Sequence, residues 1–361
     1  TNTYTGATTV SGGTLELTGA VSMNAASSIS LAAGTTLLLN ATNTAAMTLG
    51  NDITGTGTIH KKGGYETVLS GDVDVDLVKV ADGANQATKA GTLSFTGDSV
   101  AVNKLYLAYG QVNVGDTNGA ETFMTLGQLQ SGDSEEANST VGLQVYQGAT
   151  LTVTGSNNGT GGNQPWKNAS FLLSEWYAAA TVNVAGTLLV QHANASLGDD
   201  TTAININGGT MAVQGIAQVR KNKGGALSLS LTQGGKLILG GNGLTTSSDS
   251  VDIQLGKGTV GLSAATMTIA ENVTLTSAEG TTFDTTKYTF VTNTDKVATG
   301  IERGTEAGSM TVTGDITSAA GVAAKMKVSG NGELNLTGNA SVSGGLEVEK
   351  GAVLTTAALS M

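Results

Sequence analysis

One short phrase recurs along the chain and constrains its fold more than any other feature. Each copy contains an alternating apolar and polar run that ends at a glycine. The copies are GGTLELTG at 12–19, AGTLSFTG at 90–97, GATLTVTG at 148–155, GGTMAVQG at 208–215 and NGELNLTG at 331–338. Because the alternation has a period of two residues, each copy predicts a β-strand and not a helix.

Equivalent apolar residues in successive copies lie little more than twenty positions apart. The spacings are Leu15 to Leu37 (22 residues), Leu188 to Met211 (23), Met211 to Leu237 (26), Leu237 to Val260 (23) and Leu334 to Leu354 (20). A nearly fixed period of this length is typical of stacked supersecondary units. The sequence therefore predicts an all-β fold, a right-handed parallel β-helix of about fifteen coils that spans 1–361 as one solenoid. With a rise of about 4.8 Å per coil, the rod would be roughly 70–75 Å long.

The orientation of side chains in this solenoid follows from the strand pattern. In the first copy we expect Leu15 and Leu17 to point into the solenoid and Thr14, Glu16 and Thr18 to point outward, because side chains alternate between the two faces of a strand. Glycines before and after each strand permit the backbone conformations of tight corners.

Composition agrees with a long parallel ladder. The 361 residues include 52 glycines but one proline, and a proline would remove a backbone donor from the ladder. There is no cysteine, so disulfides and cysteine-based zinc or redox sites are excluded. A formal net charge of −11 disfavours nucleic acid as a partner, and no apolar run is long enough to predict a membrane-spanning helix.

The first residues carry a more specific motif. Asn2–Gly6 read NTYTG, and TTV and GTLEL follow. This opening resembles the autotransporter-associated β-strand repeat, also called the passenger-associated transport repeat. In the family a lysine-rich and glycine-rich run that ends in LSG precedes NTYTG. A weaker form of that run lies at 55–71, GTGTIHKKGGYETVLSG, and an acidic strand, DVDVD, follows it in place of NTYTG.

The resemblance implies the passenger of a bacterial type V secreted protein, a parallel β-helix carried across the outer membrane by a separate barrel. It implies a location at the cell surface or outside the cell. It also gives the missing cysteines a reason, since loops closed by disulfides impede passage through a narrow pore. The first residues lie inside a repeat and neither end reads as a polar cap, so we expect either that flanking coils were removed or that copies stack end to end.

A long excursion interrupts the repeat at 156–180, where the spacing from Leu151 to Leu188 reaches 37 residues. This segment contains both tryptophans and the only proline. Excursions from a rigid scaffold often carry function, and flat rings beside amides suit a glycan or a protein partner. The alternative is an apolar strand or helix packed onto the rod. The candidate ligand-binding residues are Trp166, Phe171, Trp176 and Tyr177.

Candidates for catalysis and metal binding are few. His60 and His192 fall in different coils, and no serine lies in a G-x-S-x-G elbow. Asp72, Asp74 and Asp76 alternate with valines and share one face of a strand, which fits either a carboxylate site or a solvated strand face. Fragments of calcium loops at Asp116, Asn118 and Glu121 and at Asp199 and Asp200 do not complete a calcium motif, and the basic residues Arg220, Lys221 and Lys223 read as a solvated turn.

Three functions remain open from the sequence. The first is a non-catalytic structural and adhesive stalk without cofactor or metal, which contacts glycans or a host-surface protein. The second is a self-assembling fibre subunit. The third is a polysaccharide-degrading β-helix enzyme, which has the DVDVD strand as its only support. The pattern favours the stalk.

Overall fold

The protein, seen in a computed structural model, is a parallel β-solenoid. The structure describes residues 2–19, 21, 23–41, 46–80, 91–131, 140–155, 171–173, 179–191, 195–197, 202–219, 227–246, 251–277 and 280–361. In these residues every regular element is a β-strand. The number of turns is somewhat below the predicted fifteen, and the rod is on the order of 60 Å long at one strand spacing per turn.

Three faces run along the solenoid, each a parallel stack of strands from successive turns. Face 1 contains β1 (Thr8–Val10), β3 (Ile29–Leu31), the first parts of β6 (Ile53–Lys62), β8 (Val73–Val80), β10 (Ser99–Leu107) and β12 (Phe123–Ser131), then β14 (Thr150–Val153), β17 (Thr187–Val190), β20 (Thr210–Val213), β23 (Lys236–Leu239), β26 (Thr259–Leu262), the first part of β29 (Thr282–Thr292), β33 (Met326–Ser329) and β35 (Leu346–Val348).

Face 2 contains β2 (Thr14–Thr18), β4 (Thr36–Asn40), the second parts of β6, β8, β10 and β12, then β15 (Phe171–Leu173), β18 (Ala195–Leu197), β21 (Ala217–Val219), β24 (Leu244–Thr246), β27 (Thr266–Ile269), β31 (Ser309–Val312) and the first parts of β34 (Glu333–Ser341) and β36 (Val353–Ser360).

Face 3 contains β5 (Met47–Leu49), β7 (Thr67–Leu69), β9 (Thr92–Phe95), β11 (Gly110–Val114), β13 (Thr140–Val145), β16 (Ala179–Val184), β19 (Thr202–Asn207), β22 (Leu227–Thr232), β25 (Val251–Leu255), β28 (Val273–Ser277), β32 (Ile316–Ser318) and the second parts of β34 and β36. One further strand, β30 (Ala298–Ala307), pairs antiparallel with the second part of β29.

The register confirms the repeat spacings. All five pairs of equivalent apolar residues are direct partners on neighbouring turns: Leu15 with Leu37, Leu188 with Met211, Met211 with Leu237, Leu237 with Val260 and Leu334 with Leu354. Leu151 is the partner of Leu188, so the excursion at 156–180 does not shift the register. The first-copy orientation is also confirmed, since Leu15 and Leu17 pack against the core while Thr14, Glu16 and Thr18 are exposed.

Glycine meets the predicted requirement at the corners. Gly148 precedes β14 with a φ of 90°, a left-handed conformation that other residues rarely adopt. A Cβ at this position would lie 2.7 Å from the carbonyl oxygen of Gly119 on the preceding turn. The close approach of two corners therefore selects glycine there.

A lysine lies inside the apolar column. Lys61 on β6 is 1% exposed, and its neighbours in the column are Leu39 and Val80. Its Nζ donates hydrogen bonds to the carbonyl oxygens of Lys62 and Gly63, at 2.7 and 2.8 Å. Burial lowers the pKa of Lys61 to about 8, because removal from water disfavours the charged form.

The first prediction concerns an inward and an outward neighbour on β17. Leu188→Asp places a charge among buried apolar side chains and should lower the free energy of unfolding by several kcal/mol. Thr187→Asp puts the same charge on the half-buried outer side and should change it by less than about 1 kcal/mol. Urea denaturation followed by circular dichroism measures both. Equal losses would contradict the assigned orientation.

The second prediction uses pH. The folded pKa of Lys61 is below its unfolded value, so the unfolded chain binds more protons between about pH 8 and 10.5 and stability rises across that range. Lys61→Met should therefore be more stable than the parent at pH 7, by about 1–3 kcal/mol, with an advantage that shrinks toward pH 10.5. Lys62→Met, on the outward neighbour, is the control. A constant difference between pH 7 and 10.5 would refute the effect of burial.

Candidate functional site

The predicted aromatic site falls largely outside the described residues. Trp166, Trp176 and Tyr177 lie there, and so does most of the excursion. Phe171 is described, and its place is the core. It is 0% exposed on β15, where Leu129 and Ala195 are its partners on the neighbouring turns. Its ring therefore faces no accessible surface. The described strand β15 is a rung of face 2 within the rod, whereas the alternative expected an apolar strand or helix packed onto the rod.

The acidic strand has the predicted geometry. Asp72, Asp74 and Asp76 are exposed, while Val73 and Val75 on β8 are buried. The Oδ1 atom of Asp76 accepts a hydrogen bond from Asn103 Nδ2 at 2.8 Å. A cleft of about 340 Å³ opens beside these groups, which we call the acidic cleft. Its lining includes Asp74, Asp76, Ala101, Asn103, Thr125, Thr154 and Val297.

The other polar candidates do not assemble into a reactive group where they are described. His60 lies on β6 between Leu38 and Lys79 of the neighbouring turns, and His192 is outside the described residues. Asp199, Asp200, Arg220, Lys221 and Lys223 are also outside them. Within the described ranges, no three His, Cys, Asp or Glu side chains group so as to hold a metal ion.

The turn at Asp116 uses its carboxylate locally. Asp116 Oδ1 accepts hydrogen bonds from the backbone nitrogens of Asn118, at 2.9 Å, and Ala120, at 3.2 Å. These bonds, with one from the Asn118 side chain, lower the pKa of Asp116. Glu121 follows this turn and is exposed. The resemblance to a calcium loop is thus explained by a carboxylate that closes a turn.

A β-hairpin covers part of face 1, and the sequence analysis missed it. The second part of β29 and β30 form this hairpin, which turns at 293–297. Beneath it, Leu189, Ala212 and Ile238 point outward from three successive turns and are 0% exposed. Tyr288 and Ala298 of the hairpin complete this second apolar cluster, with Phe290 and Ile301 packed against it.

Two signals in the sequence indicate the hairpin. The strands TLLV, TMAV and KLIL lose the polar residue that other strands carry in the middle, which predicts burial on both sides. The segment TKYTFVTNTDKVATGIE contains two alternating runs on either side of a short polar turn, which is typical of a hairpin. Gly261 belongs to the same pattern, because a Cβ there would lie 2.9 Å from the Tyr288 ring.

A buried carboxylate and a half-exposed arginine hold the base of the hairpin. Asp284 is 4% exposed, and Arg303 binds it with two hydrogen bonds, at 2.5 and 2.9 Å. Tyr288 Oη and the Thr286 backbone nitrogen also donate to it, each at 3.0 Å. Burial opposes ionisation of Asp284, but the hydrogen bonds from Arg303 and Thr286 outweigh it and hold its pKa below the usual range. Burial and the neighbouring Asp284 raise the pKa of Tyr288.

Polar contacts hold the other end of the hairpin. Thr152 Oγ1 donates to the carbonyl oxygen of Ala298 at 2.7 Å. Gln191 donates to the carbonyl oxygen of Lys296 and accepts from the backbone nitrogen of Ala298, at 2.6 and 2.7 Å. The hairpin therefore runs along the solenoid axis from the turn of β29 back to the turn of β14 and joins the turns between them.

A second cleft, of about 330 Å³, lies alongside the hairpin. We call it the hairpin cleft. Its wall on the solenoid side is Gln191, Gln214 and Ser263, and its wall on the hairpin side is Lys287, Tyr288, Thr289, Phe290, Thr292 and Lys296. It combines amide groups with aromatic rings and lysine side chains, a lining suited to polar organic ligands.

A third surface runs along the outside of face 3. Its central residues are direct partners on successive turns: Gln144, Asn183, Asn205 and Ser230. A cleft of about 350 Å³ opens here, which we call the amide cleft. Its lining consists of Gln144, Asn183, Val184, Ala185, Asn205, Asn207, Ser230 and Thr232.

Comparison with known proteins finds no match among protein-family models, curated proteins or solved structures. The resemblance to the autotransporter-associated repeat thus rests on the opening motif and the period. The structure places its TTV element on β1 and its GTLEL element on β2. Nowhere in the described ranges is there a helix with the length and apolar character needed to cross a membrane.

The third prediction tests the base of the hairpin. Arg303→Met leaves the buried Asp284 carboxylate without its cation and should lower the free energy of unfolding by about 1–3 kcal/mol at pH 7. Lys287→Met removes the exposed pair with Glu306 and should cost less than about 0.5 kcal/mol. Without Arg303, burial raises the pKa of Asp284, so the variant takes up a proton at higher pH than the parent does. The difference in the free energy of unfolding between the two should therefore narrow between pH 7 and pH 3. Denaturant titration at pH 3 and pH 7 measures the free energy of unfolding of both chains. A difference that is larger at pH 3 than at pH 7 would contradict the ion pair between Arg303 and Asp284.

Proposed function

We propose that the chain is the non-catalytic stalk of a bacterial protein that is exported through the outer membrane and displayed at the cell surface or released. In this role the solenoid holds binding surfaces away from the cell and contacts glycans or host proteins. The single observation that carries the proposal is the stack of parallel strands that runs from β1 to β36, interrupted by the antiparallel β30, around one apolar core.

Such a rod suits export and display for physical reasons. Apart from the hairpin, which spans several turns, each turn packs on its neighbours, so the solenoid can fold turn by turn as the chain emerges from a pore. The absence of cysteine from the sequence means that no disulfide closes a loop before passage. The opening NTYTG motif, with the TTV and GTLEL elements that follow it, adds support through its resemblance to the repeat of exported passengers.

The exterior supports an interaction role. The three clefts open on the outer surface, and the lining of each differs in charge and chemistry: the acidic cleft carries carboxylates, the hairpin cleft lysines and rings, the amide cleft uncharged groups. A regular interior with a varied exterior is what a scaffold for recognition requires.

A polysaccharide-degrading enzyme is a further candidate, because Asp74 and Asp76 border a cleft. If the chain cleaves polysaccharide there, Asp74→Asn should abolish release of reducing or unsaturated ends. Release of such ends by the parent chain would overturn the proposal of a non-catalytic stalk.

The fourth prediction concerns export. The chain, placed between a cleavable secretion signal and the barrel of a known type V protein in a Gram-negative host, should reach the surface and become accessible to external antibody. Ser30 and Thr54 are partners on neighbouring turns of face 1, so Ser30→Cys with Thr54→Cys can form a disulfide in the periplasm.

The double variant should show reduced surface display that recovers when a reductant is added, while Ser30→Cys alone should match the parent. Failure of the parent chain to reach the surface, under conditions in which the native passenger of the same barrel does so, would refute the proposed route of export.

A further inference from the structure

We infer that the amide cleft is a binding site for an uncharged oligosaccharide that lies along the solenoid axis. This inference deepens the proposed function, on which it rests for its biological sense, by naming a site and a ligand class. It depends on four features of the cleft: its hydrogen-bonding groups, its lack of charge, its periodicity and its shape.

The hydrogen-bonding groups are partly used within the ladder and partly available. Asn205 Nδ2 donates to Asn183 Oδ1, and Ser230 Oγ donates to Asn205 Oδ1, both at 2.9 Å. Thr232 Oγ1 donates to Asn207 Oδ1 at 3.0 Å. Each carboxamide has two N–H donors and an oxygen with two lone pairs. The ladder thus fixes the orientation of the side chains and leaves donors and acceptors for a ligand.

Asn183 and Asn207 have side-chain hydrogen-bond donors that are available to a ligand. Both accept hydrogen bonds through Oδ1, and within the described residues neither Nδ2 group donates to another atom. Asn183 is half-buried and Asn207 is exposed, so these N–H groups face the cleft and solvent. A hydroxyl group both accepts and donates, which makes a sugar a fitting complement to such amides.

Among the described residues that line the cleft, none has an ionisable side chain. This contrasts with the acidic cleft and with a chain whose net charge is −11. An acidic oligosaccharide would meet no cation in the cleft to offset its desolvation, and it would approach a negatively charged protein. A neutral ligand has neither penalty, so the charge pattern selects for it.

Periodicity gives the ligand its direction. Gln144, Asn183, Asn205 and Ser230 recur at one strand spacing, about 4.8 Å, along the axis. This spacing is close to the length of one pyranose unit in an extended chain. Successive sugar units can therefore meet equivalent amide and hydroxyl groups on successive turns.

The small side chain of Ala185 forms the depression of the amide cleft. Ala185 follows β16 at the edge of face 3, at the place where Tyr146 follows β13 and Asn207 ends β19 on the adjacent turns. Its methyl group is the smallest side chain at this position of the three turns, and it lines the cleft. A larger residue at Ala185 would fill the space without removing any hydrogen-bonding group.

The experiment uses the purified full chain and isothermal titration calorimetry. The probes are the hexamers of β-1,4-glucose, α-1,4-glucose, β-1,4-N-acetylglucosamine and β-1,4-mannose, with hexagalacturonate as the acidic comparison. We expect at least one neutral hexamer to bind and hexagalacturonate not to bind. Asn183→Leu should weaken binding about tenfold, since it removes one or two hydrogen bonds.

Two further variants separate the site from the stability of the fold. Ala185→Tyr should abolish binding by filling the cleft, while Asn335→Leu, the same kind of change as Asn183→Leu on a half-buried outward residue of β34, should leave affinity unchanged. Circular dichroism and the melting temperature verify folding of each variant.

The inference is overturned if no neutral hexamer binds at millimolar concentration, if hexagalacturonate binds more tightly, or if folded Asn183→Leu and Ala185→Tyr retain the affinity of the parent. Its failure is distinct from failure of the proposed function. Surface display tests export without any ligand, and calorimetry tests the cleft without any membrane.

Discussion

The stacking of inward apolar side chains at one strand spacing is the constraint on which the rest of the structure depends. Each backbone turn is paired to its neighbours, and each inward side chain, such as Leu188, lies over an equivalent one, such as Met211. In a strand with one buried side, a shift of one residue would exchange the buried and exposed sets, so the register of such strands is strongly specified. Lys61 is tolerated in this column because it can donate to two backbone carbonyls and lose its proton readily.

The hairpin shows how a change on the outer side of the strands alters the architecture without disturbing the column. Inward residues stay apolar through β17, β20 and β23, but the outward residues become apolar as well and need a cover. The chain supplies that cover by leaving the solenoid in the middle of β29 and returning after β30. Asp284 stands at the point of departure, where Arg303 binds the carboxylate from the returning strand. Departure and return are thus joined by an ion pair between a buried carboxylate and a half-exposed guanidinium.

The sequence predicts the solenoid well because its period is local and repeated. The residues that face each other across turns, such as Leu15 and Leu37, can be identified by counting alone. The hairpin and the clefts are harder to predict from the sequence, because they depend on contacts between outward residues from distant parts of the chain. Thr152 and Ala298 are 146 positions apart, and no local pattern relates them. For Phe171 the prediction was wrong. The tryptophans and the proline around it suggested a surface role, but Phe171 is a buried residue of a core strand.

A solenoid of this kind separates two tasks that compete in a globular domain. In a globular domain, a change at a binding surface often affects the packing beneath it. Here the strands that the hairpin does not cover divide their residues between a column that determines stability and a file that faces solvent. Outward residues can vary from turn to turn while the core beneath them stays the same, as Gln144, Asn183, Asn205 and Ser230 do above one valine, isoleucine and leucine core. The outer files of faces 1 and 3 are therefore where function can differ between solenoids that share one interior.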